Sequence, residues 1–384
     1  MNVWSSFPSR DSFGPQAVRS ILLALAFVLL ALGAAACSDS ESSPVAPPEE
    51  LTFLQGTPDD PRIGIVTSST GNAVWLFQLG DPDEVRRIPL GASASVTPTG
   101  LSVQGGRLFV PLGNAASSAL IDPDGLRIER FFLFGSGNAT GSTFVDDNTV
   151  LVANLGTGDV GRIRLDQSEN SITETVQVAP RPTHIVMAGD RAAVVSSNLD
   201  ENFAPIGEGV VTILDPQTLE VLAEVGTGGN NPTSAAVGPD GLVYVVNTGN
   251  FADPGSLAII DPDAGELVEV IGDFGVGPGS IHIDSEGVAY VSGFFFGTLV
   301  WDTRNRSFVR SPENPVCAPL ADGGCRGAFG AHTDGEGRLY QLFFGSAPQG
   351  LPGQIFIYEG SGFALADSIP AAEGGPTDLV ITTF

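Results

Sequence analysis

A short pattern, Pro-Thr-x followed by an apolar run, recurs along this chain as PTGLSV from Pro98, PTHIVM from Pro182, PTSAAV from Pro232 and PTDLVI from Pro376. Weaker copies open at Thr140, Pro278 and Ala328, so successive starts lie 42, 42, 50, 46, 50 and 48 residues apart. A period of this size that holds several short strands is the mark of a propeller, in which each repeat forms one small sheet and neighbouring sheets bury each other's faces. The clearest unit runs over 232–271: PTSAAV, the turn GPDG, LVYVVNT, a loop, SLAIIDP, a second turn, then ELVEVI.

Counterparts of the second strand read RLFVPL from 107, TVLVAN from 149, RAAVVSS from 191, VAYVSG from 288 and RLYQLF from 338. Third strands include SALID from 118, GVVTIL from 209, GTLVWD from 297 and GQIFIY from 353. Asp-Pro follows a third strand at Asp122, Asp215 and Asp261, where Asp caps a tight turn and Pro presets φ. With 49 Gly and 28 Pro against only 16% charged residues, the chain favours many strands joined by tight turns over long helices.

The first unit, 62–91, has a second, third and fourth strand but no first, and GPTDLVITTF (375–384) supplies it. Pairing the two would cover a sheet edge whose open backbone groups otherwise invite aggregation. The expected fold is all-β: seven four-stranded antiparallel blades over 62–384, closed into a ring by the C-terminal strand on the N-terminal blade.

VYVVNT (243–248) and AYVSG (289–293), each after a turn ending in Gly, resemble the YVTN-type bacterial β-propeller repeat. Related repeats occur in NHL-type, gluconolactonase-like and virginiamycin-lyase-like propellers. The resemblance therefore implies a fold and no single activity.

Arg10 and Arg19 precede the uncharged run SILLALAFVLLALGAAA (20–36), which is followed by Cys37 and SDSESSPVAPPEE. The run is short for a membrane span, which remains the other reading, and it ends in small residues as an export signal does. It resembles the bacterial lipoprotein signal, with Ala34 where Leu is usual. That implies cleavage after residue 36, acylation of Cys37 and a lipid anchor in the cell envelope. Ser38 resembles the outer-membrane sorting pattern, on either the periplasmic or the surface side. Residues 37–61, rich in Ser, Pro and acids, read as a disordered tether.

The remaining cysteines, Cys317 and Cys325, are expected to pair in an exported protein, with two free thiols as the alternative. Residues 1–36 contain two Arg and one Asp, so the rest of the chain has a net charge of −28 and no Lys at all. Nucleic acid is excluded as an expected partner, because phosphate binding rests on basic side chains.

In a blade running outward from the axis, second-to-third loops and interblade loops share one face. That face receives every long loop: 198–208, 248–255, 311–327 and 344–353. Long loops gathered on a rigid face serve binding. The candidate contacts for a small ligand or an envelope protein are Asp200, Asn202, Phe203, Phe251, Phe295 and Phe344, with Phe294, Phe296 and Phe329 nearby. Asn198, Asp200, Glu201 and Asn202 also offer oxygen ligands without the spacing of a dedicated calcium loop.

All three histidines fall in innermost strands: His184, His282 and His332. His282 and His332 hold equivalent positions in adjacent blades, and Asp378 lies two positions earlier in the next. Such a set could bind a divalent cation, Ca or Mg, or serve acid–base chemistry; inter-blade packing is the plainer reading. The expected function is a binding or scaffolding module of the cell envelope rather than an enzyme. The alternative is a metal-dependent lactonase- or lyase-like propeller using His282, His332 and Asp378.

Overall fold

A computed structural model of the chain describes residues 51–320, 323–346, 350–370 and 374–384. The expected signal segment, Cys37 and the tether up to residue 50 lie outside the described residues. Seven antiparallel sheets of four strands each make up the described part, and no α-helix is assigned within it.

Six sheets follow chain order. The seventh is stitched from both ends, in the order Pro376–Thr382, Ile63–Ser68, Ala73–Gln78, Asp81–Pro89. Ile63 pairs with Thr382 and Thr67 with Asp378, so the late strand lies antiparallel along the early one. Beyond the ladder, the Thr67 and Thr377 hydroxyls are 3.0 Å apart, and the Ser69 amide donates to the Gly375 carbonyl at 3.0 Å. The expected ring closure is thus present.

Strand periodicity explains the packing. Along Val243–Asn247 alternate side chains point to opposite sheet faces. Val243 and Val245 join Ala193, Val195, Val211 and Ile213 of the preceding blade, whereas Tyr244 and Val246 join Val291, Leu299 and Trp301 of the following one. Both faces of a middle strand are therefore buried, which is why these segments read as continuous apolar runs. Outer strands lack a neighbour on one edge and are largely exposed, as along Glu266–Ile271.

Residues 51–61, expected as the end of a disordered tether, are folded instead. A 3-10 turn at Phe53–Gln55 buries Leu54, Gln78 Nε2 donates to the Phe53 and Gly56 carbonyls, and Arg86 lies over the Phe53 ring. Asp60 accepts hydrogen bonds from both Arg62 and Arg338. Leu51, Phe53 and Leu54 give this stretch an apolar anchor that the preceding Ser/Pro/acid run lacks.

Most turns that join first to second and third to fourth strands are short, and several are closed by Asp; the exception is 165–173, between Asp159–Arg164 and Glu174–Gln177, a longer connection on the face expected to hold only tight turns. Asp284 Oδ1 accepts from the amides of Glu286 and Val288, and Asp334 Oδ1 from those of Glu336 and Arg338. Asp122, Asp215 and Asp261 do the same after third strands, as their Asp-Pro signatures imply. Arg62 meets the Asp334–Glu336 turn, so the chain enters its first blade on this tight-turn face.

Candidate functional site

The loops on the opposite face bring together five phenylalanines from three blades. Phe251 sits in the 248–255 loop, Phe294 and Phe295 in the turn after Val288–Gly293, Phe329 just before Gly330–Thr333, and Phe344 after Arg338–Phe343. Phe295 packs edge-on against Phe251 with centroids 6.4 Å apart, and Phe251 contacts Phe294 at 6.2 Å. The row continues through Phe294–Phe329 at 5.6 Å and Phe329–Phe344 at 5.4 Å.

Glycines seat this ridge. Gly277 has φ +71°, and a Cβ there would sit 3.2 Å from the rings of both Phe251 and Phe295; one at Gly279 would meet Phe294 at 2.7 Å. Side chains at those positions would lift the rings off the blade. Phe295 is 64% exposed and Phe251 49% exposed, whereas Phe296 of the same FFF run is buried under the strand it opens. Apolar surface of this kind, clustered on a loop face, makes the ridge the candidate surface.

The other expected contacts lie elsewhere on the same face. Asp200 Oδ1 accepts from the amides of Asn202 and Ala204 and so closes its own turn. Arg181 donates to the Asp200 carbonyl and covers the Phe203 ring at 4.7 Å. Asp200, Asn202 and Phe203 thus form a separate spot from Phe251, Phe295 and Phe344. The Asn198 side chain donates to the Glu208 carbonyl at 2.7 Å. Cys317 and Cys325 are disulfide-bonded with Cα atoms 5.6 Å apart, which ties down the loop leading into Phe329.

The innermost strands line a channel of about 320 Å³ containing His184, His282, His332 and Asp378. The His282 and His332 rings stack with centroids 3.8 Å apart at 28°. Burial first, and then the neighbouring His332, holds His282 well below the ordinary imidazole value; burial lowers His332 too and takes His184 down to about 4. Asp378 is partly accessible to a small probe, yet inner strands surround it. That enclosure pushes its carboxyl up to about 7 against the amides of Leu379 and Leu101, which lower it.

These residues do not fit a divalent cation. His332 Nδ1 donates to the Thr333 carbonyl at 2.7 Å and His282 Nε2 lies 3.2 Å from Thr333 Oγ1, which fixes both ring orientations and leaves one nitrogen on each. The rings lie face to face instead of converging, and among the described residues no three His, Cys, Asp or Glu side chains form a ligand set. Equivalent register placed both imidazoles on one line, which favours the packing reading.

No family model and no curated protein sequence matches the chain. Among solved structures, the chain is similar to Kuenenia stuttgartiensis hydrazine synthase with a TM-score of 0.56 at 13% identity, over 77% of this chain and 97% of that one. The WD40 β-propeller domain of Doa1 aligns at a TM-score of 0.49 and 13% identity, over 59% of this chain and 71% of that domain. At such identity a likeness concerns the fold alone.

Proposed function

We propose that this propeller is a binding or scaffolding module of the cell envelope that captures a ligand or partner on its long-loop face. The ridge Phe295–Phe251–Phe294–Phe329–Phe344 carries the reading, because Phe295 and Phe251 stand 64% and 49% exposed on a row of rings whose inner member, Phe329, is anchored on the core. Burying a phenyl ring under a partner contributes about 1.5–3 kcal/mol, so a few rings on a rigid seat suffice for specific capture. The YVTN-type resemblance and the lipoprotein-like start through Cys37 support an exported, acyl-anchored form.

Capture from envelope extract tests the surface. Replacing both Phe251 and Phe295 by Ala is expected to abolish recovery of the captured species while the thermal transition stays in place; undiminished recovery would refute the assignment. Cys37→Ser is expected to release the protein from the membrane fraction, and mass spectrometry of the N-terminal peptide reads the acyl group directly.

A further inference from the structure

Resting on the long-loop face as the recognition surface, we propose that the pocket at one end of the ridge binds an organic carboxylate with an apolar body, its anionic end held by Arg326. The pocket is a concavity of about 270 Å³ lined by Phe294, Leu320, Arg326, Ala328, Phe329 and Phe344, and no described acidic side chain lines it. Its position matters as much as its size, since three ridge rings form its apolar wall.

Among the described residues Arg87, Arg130, Arg181, Arg304 and Arg310, like Arg326, lack a carboxylate partner but donate to carbonyl oxygens, whereas Arg326 is the one arginine with a buried nitrogen that meets no acceptor. With 44 acidic residues against 17 arginines, carboxylates are in excess, and Arg62 and Arg338 share Asp60 and Asp334. Arg326 instead donates from Nη1 to the neutral amide of Gln354 at 3.2 Å, while its Nε, shielded from solvent, meets no acceptor. A charged donor left unpaired in a sheltered site is costly, so it points to a ligand group that would satisfy it.

The guanidinium is also held in place. It lies 5.0 Å from the Phe343 ring centroid and 5.3 Å from that of Phe356, its own backbone amide donates to the Ala318 carbonyl, and the disulfide at Cys325 fixes the preceding residue. Nε and Nη2 form the edge of the guanidinium that can take a carboxylate through two parallel hydrogen bonds. A monoanion suits the site better than a phosphate dianion. Only one guanidinium is present, the walls are apolar, and the strongly acidic chain opposes further negative charge.

Titration calorimetry of the full-length protein with 3-phenylpropionate and with its neutral amide tests the site. The acid is expected to bind at least about tenfold more tightly than the amide. Arg326→Met, which keeps a stem between Phe343 and Phe356, is expected to weaken the acid by about tenfold and leave the amide unchanged. Equal binding of acid and amide, or no binding of the acid at millimolar concentration, overturns the proposal. Should Arg326→Met fail to fold, the acid and amide pair on the unaltered protein still decides. A short peptide ending in a free Phe carboxylate separates the two sources: tighter binding than the small acid assigns the site to a chain terminus, weaker binding to a free organic acid. If the acid fails while the Phe251 and Phe295 double variant still loses capture, only this proposal falls; the reverse result removes the surface reading and leaves the pocket.

Discussion

The two faces of the propeller use their side chains in opposite ways. On the tight-turn face the acids are consumed internally: Asp284 and Asp334 each hold two backbone amides, and Asp240 holds the Leu242 amide and the Tyr244 hydroxyl. On the long-loop face the phenyl rings of Phe251 and Phe295 stand 49% and 64% exposed, with glycine beneath them. Side chains already satisfied by their own backbone set geometry, whereas unsatisfied ones are available to a second molecule. Loop length distinguishes the faces only roughly, since Asp200 sits in a long loop and still closes its own turn.

Removing residues 376–384 is the harshest test of this division. It strips the inner strand from Ile63–Ser68, and the cooperative thermal transition is expected to vanish with both faces lost together. A truncated protein that still melts cooperatively and still captures its partner would show that the long-loop face does not depend on ring closure.

Asp60→Ala addresses the tight-turn side alone. It removes one of the two carboxylates that Arg62 and Arg338 share, Asp334 staying in place, and is expected to cost about 1–3 kcal/mol in denaturant unfolding with capture unchanged. The Arg62 hydrogen bond holds the Asp60 carboxyl at about 2, below its ordinary 3.8. Its stabilisation is therefore complete above pH 3.8 and is lost as pH falls toward 2. Acid titration of the melting temperature reads this window, and Asp60→Asn is expected to flatten it.

The channel between the faces has the opposite sign. Asp378 is raised from 3.8 to about 7, so the folded state binds its proton more tightly than the unfolded chain, and stability falls as pH rises between those values. Asp378→Asn is expected to stabilise the protein by about 1–2 kcal/mol at pH 8, allowing for water in the channel, with little change near pH 4. His184, held at about 4 against an ordinary 6.5, contributes nothing above pH 6.5 and destabilises progressively as pH falls from there toward 4. Equal melting temperatures for Asp378→Asn and the unaltered protein at pH 8 would show that the carboxyl carries no such burden. The smallest expected stability change, within about 0.5 kcal/mol, belongs to the Phe251→Ala and Phe295→Ala pair, whose effect falls on binding instead.

Much of the fold was legible because propeller strands are local: VYVVNT and SLAIID carry their own apolar pattern, and Asp-Pro marks the turns between them. Closure was legible too, since a unit lacking its first strand and a spare first strand imply each other. The site was harder to read. Phe251, Phe295 and Phe344 were recognisable as loop aromatics, but nothing in linear order shows that Phe294 and Phe329 join them into one row while Phe203 lies on Arg181 instead. Arg326 carries almost no signal in linear order. Its meaning depends on Phe343, Phe356 and Gln354, all of which lie in the following blade, and the one local signal was its place beside Cys325. His282 and His332 were correctly aligned with each other, yet equal register makes rings stack more readily than converge.

The stitched first sheet also sets a timetable. Thr67 waits for Thr377, 310 residues downstream, before its ladder is complete. At ordinary ribosomal speed that interval is roughly 15–60 s. Throughout it the nascent chain carries an uncovered strand edge, so a holdase that shields β-edges during synthesis would act on this protein at one identifiable place, Ile63–Ser68.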